Sequence, residues 1–167
     1  RIVDVEGQPL GANVGRFIQT LDFLGAPLPK DLVKTLNEAV KKRDARKLQA
    51  LLDSHATFVV SLNPEVRVKV VRGPGKATLQ QAGFTPLLVK VVNDSTVTRQ
   101  LRIRSPQTGP VYSGAALAIL KRQAQTELNN NENVQGTTDR FLKVDLFQKP
   151  PMTMKFSGLE VECAIAL

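Results

Sequence analysis

The sequence predicts an α+β protein: an antiparallel β-sandwich, Ig-like in general architecture, with an N-terminal helical segment or hairpin. Two observations lead to this prediction. Apolar residues recur at helical spacing over residues 30–53, and from residue 58 onward they alternate with polar residues in short segments separated by turns. Short connections between such segments favour antiparallel pairing. No fixed-period repeat and no series of βαβ units is found.

Length and composition fit a globular chain. At 167 residues it can form one domain, or one domain with a helical appendage. A chain of this size buries roughly 70% of its unfolded surface, so folding needs neither a disulfide nor a metal. We expect residues 1–54 to form an N-terminal segment with a helical hairpin. Residues 55–167 would form the β-sandwich, which we expect to continue beyond the end of the chain.

The helical signals lie in the first third of the sequence. Ile2, Val3 and Val5 suggest a short strand, followed by a turn over residues 6–9. Apolar spacing over residues 17–24 predicts a helix that ends at Gly25. Residues 30–53 predict two helices, the second beginning at Asp44, because aspartate is a good N-cap. One long helix is the alternative.

Strand-like alternation dominates the rest. The predicted strands start at Phe58 and are interrupted by the turns that Asn63–Pro64 and residues 72–76 and 93–95 provide. Their ranges are 66–70, 84–92, 97–104, 142–146 and 159–167. Residues 111–128 are ambiguous and favour a helix. Since side chains of a strand alternate between faces, each strand should turn an apolar face to a core and a basic face to water.

The net charge of +8 is concentrated in the predicted strands. Over residues 65–104, eight Lys and Arg residues stand against two acidic residues, Glu65 and Asp94. A basic sheet face can attract an acidic polysaccharide or another polyanion. Only 5% of the residues are aromatic and none is Trp, so few side chains could stack with bases. Nucleic acid is therefore disfavoured as a partner. The candidate polyanion-binding residues are Arg67, Lys69, Lys90, Arg102 and Arg104. A solvated face is the simpler interpretation.

No catalytic, cofactor-binding or metal-binding residue is predicted. His55 is the only histidine and Cys163 the only cysteine, so a histidine- or cysteine-rich metal site and an internal disulfide are excluded. Cys163 alternates with apolar residues, which indicates a buried, inert thiol. The glycine-rich run at residues 72–76 lacks the spacing of a phosphate-binding loop. Residues 93–95 match a glycosylation sequon, which often occurs by chance.

Four segments together resemble the region that precedes the metal-binding domain of bacterial CehA/McbA-type metallohydrolases. They are residues 63–70, 84–93, 112–117 and 157–162, within a similarity from about residue 45 to the end. In that family a PHP-like domain with His-x-His motifs binds metals and hydrolyses ester or phosphoester bonds. No His-x-His motif occurs here, so no catalytic residue carries over. The family's secretion implies an extracytoplasmic (periplasmic or secreted) location.

The resemblance implies a non-catalytic accessory module at the N-terminus of a larger secreted metallohydrolase, with the downstream catalytic domain as its partner. Such a module would serve as a scaffold, or position the enzyme against a substrate or envelope polymer. The alternative is a stand-alone module that binds an acidic polysaccharide through its basic sheet face. A free-standing hydrolase built from scattered carboxylates ranks last, because sequence does not show which pair converges. No membrane-spanning run is visible.

Overall fold

The computed structural model describes residues 2–78, 83–95, 97–101, 103 and 144–167. Three helices come first: α1 (Gly7–Phe23), α2 (Lys30–Lys41) and α3 (Ala45–Asp53). Four strands follow: β1 (Ala56–Leu62), β2 (Val68–Arg72), β3 (Leu87–Asn93) and β4 (Val161–Ala166). The change from helix to strand lies at residues 54–55, and β1 begins two residues before Phe58, where the sequence predicts the first strand.

Helix α1 begins ten residues earlier than the predicted helix. The predicted turn over residues 6–9 is wrong, because Pro9 lies in the first turn of a helix, where a backbone N–H has no intrahelical partner to lose. Gly7 is required by a close approach, since a Cβ there would lie 1.8 Å from the carbonyl oxygen of Arg43. The predicted strand at residues 2–5 is also wrong, as these residues form no regular structure.

The predicted end of α1 is confirmed. Gly25 has a φ of 73°, in the left-handed region that glycine adopts without strain. Its N–H donates to the carbonyl of Asp22 at 3.0 Å, and the N–H of Ala26 donates to the carbonyl of Leu21 at 2.9 Å. These two bonds form a Schellman motif, which satisfies carbonyls at the end of the helix.

The prediction of two helices joined at Asp44 is confirmed. Arg43 takes a left-handed φ of 53°, and its N–H donates to Val40 at 3.0 Å. The N–H of Asp44 donates to the carbonyl of Ala39 at 2.9 Å, which completes a Schellman motif. Asp44 then caps α3, since its Oδ1 accepts from the N–H of Lys47 at 2.9 Å. One residue thus ends one helix and starts the next.

The described strands form one mixed sheet, in the order β2-β1-β3-β4. The predicted antiparallel Ig-like β-sandwich is therefore wrong. β1 pairs antiparallel with β2 but parallel with β3, and β3 pairs antiparallel with β4. β2 runs antiparallel to β1 and so returns the chain to the end of the sheet at which β1 begins. β3 starts from that same end, on the other side of β1, and therefore runs parallel to β1.

Several strand bounds also differ from those predicted. β2 begins at Val68 rather than Val66, because Val66 takes a left-handed φ of 65° in the turn. Residues 97–101 form no strand, which contradicts the predicted strand there. Leu146 forms only an isolated bridge with Ala166. The predicted helix at residues 111–128 lies outside the described residues.

The three helices share one core with the sheet: α1 packs against β4, and α2 packs against α1 and α3. One row across the sheet joins Ala56, Leu88 and Ile165, which are directly paired on β1, β3 and β4. This row belongs to one buried cluster with apolar residues of all three helices; the largest of those are Phe17, Leu36, Leu48 and Val14. Because sheet and helices bury one another's apolar sides, neither layer is complete alone.

Contacts divide the chain into two compact units. The first contains residues 1–101 and 146–167, with every helix and strand given above. The second, residues 102–145, lies almost wholly outside the described residues. Among the helices that the structure describes, none has the length and apolar character needed to cross a membrane.

Candidate functional site

Among the residues that the structure describes, the closest pair of opposite charges lies between the sheet and the helices. Lys90 Nζ donates to Asp53 Oδ1 at 2.6 Å. The Lys90 side chain is 7% exposed and that of Asp53 is 26% exposed, so the pair is largely shielded from water. Lys90 comes from β3, and Asp53 is the last residue of α3. The pair therefore joins the two layers of the fold.

Cys163 lies beside this ion pair. It is the direct cross-strand partner of Lys90, so both side chains lie on the helix-facing side of the sheet. Burial raises the pKa of the Cys163 thiol to about 12, and the Lys90 cation only partly opposes the rise. A thiol with such a pKa is protonated at neutral pH and is a poor nucleophile. This agrees with the buried, inert thiol that the sequence predicts.

The cavity between Lys90, Asp53 and Cys163 is small. Its volume is about 10 Å³, which is at the lower limit for one water molecule. Its remaining walls are mainly apolar: Leu10, Gln49, Leu52, Leu88 and Val161. Although three ionisable side chains meet here, the cavity has no room for an organic substrate. The three side chains pack between α3 and the sheet.

The three candidate polyanion-binding residues that the structure describes do not form one surface. Arg67 and Lys69 are exposed on the β1–β2 hairpin, whereas Lys90 is buried on the other side of β1. The prediction that Lys90 faces water is wrong, because β3 is a central strand whose two faces are both buried. Arg102 and Arg104 lie outside the described residues. Polyanion binding through the remaining residues stays a prediction.

Arg72 is a structural residue. Its guanidinium donates to the carbonyl oxygens of Thr57, Gly73 and Gly75 at 2.6–2.7 Å and lies 5.8 Å from the centre of the Phe58 ring. The backbone N–H groups of Gly73 and Gly75 donate to carbonyls at the start of β1. The glycine-rich run therefore closes against β1, and these two N–H groups are not free to bind a phosphate.

A second cavity, of about 20 Å³, lies beside β4 and is lined in part by Glu162. Burial raises the pKa of the Glu162 carboxyl group, and its hydrogen bonds to Ser157 and the charge of Arg16 oppose part of the rise. The N–H of Ser157 donates to Glu162 Oε1 at 2.9 Å. Glu162 is 3% exposed. It is thus a buried carboxyl group with a local partner, in a space too small for a ligand.

His55 lies exposed between α3 and β1, at the helix-to-strand junction that the sequence predicts. Within the described ranges, no three His, Cys, Asp or Glu side chains come together in a way that could hold a metal ion.

The glycosylation sequon at residues 93–95 has an inaccessible asparagine. Asn93 is buried, and its Nδ2 donates to the carbonyl of Val97 at 2.9 Å, so that nitrogen is not available for glycosylation.

The two edges of the sheet differ, and this feature was not predicted from the sequence. The outer edge of β4 is covered: Asn13 of α1 bonds the backbone of Cys163, and the N–H of Phe147 donates to the carbonyl of Ile165 at 2.8 Å. At the other edge, every residue of β2 is exposed. Alternation at residues 66–70 indicated a strand there, but not that it lies at an edge.

Comparison with known proteins gave no match to a family model, to a curated protein or to a solved structure.

Proposed function

We propose that this chain is a non-catalytic accessory module at the N-terminus of a larger secreted bacterial metallohydrolase. In this proposal it folds beside a downstream catalytic domain, in an extracytoplasmic location. It acts as a scaffold or positions the enzyme against a substrate or envelope polymer. The resemblance to the region before the metal-binding domain of CehA/McbA-type enzymes motivates the proposal. The resembling segments that the structure describes fall on the β1–β2 hairpin, on β3 and at the start of β4, which are scaffold elements.

One observation supports the proposal most directly: Lys90, Asp53 and Cys163, three ionisable side chains that meet at one place, take part in packing. Lys90 is paired with Asp53, and the thiol of Cys163 has a pKa of about 12. The cavity that these residues line has a volume of about 10 Å³. Active sites usually offer a concave pocket of several hundred Å³ with convergent polar groups. The cluster here instead joins a helix to the central strands.

An activity assay tests the non-catalytic role. The purified chain would be incubated with Zn²⁺, Mn²⁺ or Mg²⁺ and with chromogenic phosphoester and carboxylester substrates. We expect no turnover above the metal-only control. Turnover that the His55→Ala variant loses would contradict the proposal, since His55 is the only imidazole.

The accessory role needs a second experiment, on the full-length protein. We expect a downstream His-x-His domain whose kcat on a small soluble ester is unchanged when residues 1–167 are deleted. Activity on the same ester linked to an insoluble envelope polymer should fall. A full-length protein without a His-x-His domain would refute the proposal.

A second candidate function is polyanion binding, for which the exposure of Arg67 and Lys69 is the supporting observation. Heparin would be the probe. Binding through these charges should weaken steeply as salt increases, and a Lys69→Glu variant should bind less tightly. Absence of binding at low salt, or binding that does not depend on salt, would exclude this function.

A further inference from the structure

We propose that the open edge of β2 binds an extended acidic peptide segment of a partner protein, which adds a fifth strand to the sheet. The segment would alternate acidic and apolar residues. This inference rests on the backbone, the exposed side chains and the charge of the β1–β2 hairpin. It is independent of the accessory role proposed above.

The backbone of β2 offers unpaired groups at regular spacing. The N–H of Gly73 donates to the carbonyl of Thr57 at 2.9 Å, so these two residues form a hydrogen-bonded pair at the end of the ladder. Hydrogen-bonded and non-hydrogen-bonded pairs alternate along antiparallel strands. The N–H and C=O groups of Val68, Val70 and Arg72 therefore point away from β1. Within the described part of the chain, no backbone group pairs with them.

The side chains of β2 are unusually apolar for an open edge. Val68, Val70 and Val71 are 51%, 59% and 48% exposed. A partner strand would remove part of this surface from water, which favours association. Protein sheets commonly protect such edges with covering segments or charges. Here the β4 edge is covered, whereas no segment among the described residues covers the β2 edge, which carries the charges of the hairpin.

The charges define the partner. Arg67 and Lys69 are exposed, and within the described ranges the acidic side chain that pairs with either of them is Glu65, 3.6 Å from Arg67. Side chains on adjacent strands meet directly opposite one another. Acidic residues opposite Arg67 and Lys69 would form cross-strand ion pairs, with apolar residues between them opposite the exposed valine Val68. Alternate acidic and apolar residues meet this requirement.

The same charges disfavour a second copy of this chain as the occupant. Pairing β2 with β2 would place two sets of Arg67, Lys69 and Arg72 in one short ladder. Like charges on adjacent strands repel one another. Charge complementarity therefore selects an acidic partner over self-association.

The test uses a synthetic peptide, Thr-Val-Val-Glu-Val-Glu-Thr, capped at both ends and titrated against the ¹⁵N-labelled chain. We expect saturable shifts of the amide signals of Val68 and Val70. Lys69→Glu should weaken binding about fivefold, because it replaces a cross-strand attraction with a repulsion. Lys34→Glu, the same charge change on the exposed side of α2, is the matched control and should bind like the wild type.

A second variant tests the backbone ladder. Val70→Pro removes an outward N–H while leaving the bonds between β2 and β1 in place, and proline is tolerated at such edge positions. We expect at least about tenfold weaker binding. A peptide methylated at alternate amide nitrogens should also lose binding, although its charge is unchanged.

Several results would overturn the proposal. They are no shift at millimolar peptide, equal binding of the methylated peptide, and unchanged binding to the Val70→Pro variant. Concentration-dependent dimerisation that Val70→Pro abolishes, without competition by the peptide, would identify a second copy as the occupant. Heparin that binds and displaces the peptide, together with equal binding of the methylated form, would show that charge alone acts at this edge.

Discussion

The side-chain amide of Asn13 pairs with both backbone groups of Cys163. Asn13 Oδ1 accepts from the N–H of Cys163 at 2.6 Å, and Asn13 Nδ2 donates to its carbonyl at 3.2 Å. A residue of α1 thus takes the place of a neighbouring strand at the outer edge of β4. Gln49 of α3 does the same for Val3, with bonds of 2.9 and 2.7 Å. Each of these amide side chains bonds the backbone of a residue that has no neighbouring strand on that side.

Replacing Asn13 should therefore destabilise the fold. Asn13→Leu keeps a side chain branched at Cγ but leaves the N–H and C=O of Cys163 without the bonds that Asn13 makes to them in a buried place. We expect a loss of about 2–6 kcal/mol in the free energy of unfolding, since each of the two orphaned groups costs about 1–3 kcal/mol. Urea denaturation measures this loss. Asn37→Leu, on the exposed side of α2, should change it by less than about 0.5 kcal/mol. Equal effects of the two substitutions would contradict this role.

The buried pair of Lys90 and Asp53 should show a large coupling energy. A double-mutant cycle with Lys90→Met and Asp53→Ala would measure it. We expect about 1–3 kcal/mol, because the Lys90 charge is shielded from water and depends on its partner. The exposed pair of Arg67 and Glu65, at 3.6 Å, is the matched control and should give less than about 1 kcal/mol. A coupling no larger than that of the control would show that the buried pair contributes little.

Glu162 should make stability depend on pH. Burial raises its folded-state pKa above the usual value of 4.5, so the folded state binds the proton more tightly than the unfolded state. The stability that this tighter proton binding contributes is complete below about pH 4.5 and is lost as pH rises through the folded-state pKa. Glu162→Gln keeps an acceptor for Ser157 without the charge. This variant should therefore be more stable than the wild type at pH 7.

The gain from Glu162→Gln should shrink toward pH 4, where the wild-type carboxyl group is protonated. Thermal unfolding at pH 4, 5.5 and 7 measures the trend. Glu160→Gln, an exposed neighbour, should show no comparable gain. A Glu162→Gln variant that is less stable than the wild type at pH 7 would mean that the carboxylate is stabilised by its surroundings.

Cys163 should be protected from thiol reagents. With a pKa raised from 9.0 to about 12, its thiolate population at pH 8 is about 10³ times smaller than that of a free thiol, and the side chain is buried. We expect labelling by a disulfide reagent to follow global unfolding, and to become faster in the Asn13→Leu variant. A Ser54→Cys variant provides an exposed control thiol. Fast labelling of Cys163 in native buffer would contradict the packing of β4 against α1.

Local chemistry explains which parts of the fold were predictable. Asp44 and Gly25 mark helix ends through bonds to nearby backbone groups, so their signals are contained in the sequence. The parallel pairing of β1 with β3 depends on contacts between distant segments, which alternation does not encode. Lys90 interrupts an otherwise apolar run over residues 87–92, a pattern that fits a strand buried on both faces. This apolar run is the sequence feature from which the burial of Lys90 could have been predicted.

The candidate site was less predictable than the helices. The inert nature of Cys163 could be predicted from its apolar neighbours, but its position beside Lys90 and Asp53 requires strand register and helix packing. Asn13 follows Leu10 by three residues and precedes Val14, so it lies close to the apolar face of α1. A polar residue in that place indicates a buried hydrogen bond, although not its partner.

Val66 should be a site where substitution stabilises the chain. It has a left-handed φ of 65° in the β1–β2 turn, which is unfavourable for a β-branched residue by about 1–2 kcal/mol. Its N–H donates to the carbonyl of Asn63 at 2.8 Å, and the next N–H donates to Asn63 Oδ1 at 2.7 Å. These bonds hold the turn in place. Val66 is 43% exposed, so little packing is lost when it is replaced.

Val66→Gly should raise the free energy of unfolding by about 0.5–1 kcal/mol, the relief of strain less the greater entropy of glycine in the unfolded chain. Val66→Asn should act in the same direction, because asparagine tolerates this conformation without that entropy. Urea denaturation of both variants measures the effect. Val71→Gly, within β2, should instead lower stability by about 0.5–1 kcal/mol. If both Val66 variants were less stable than the wild type, the turn would not be strained at this residue. Contacts of the valine side chain would then stabilise the turn.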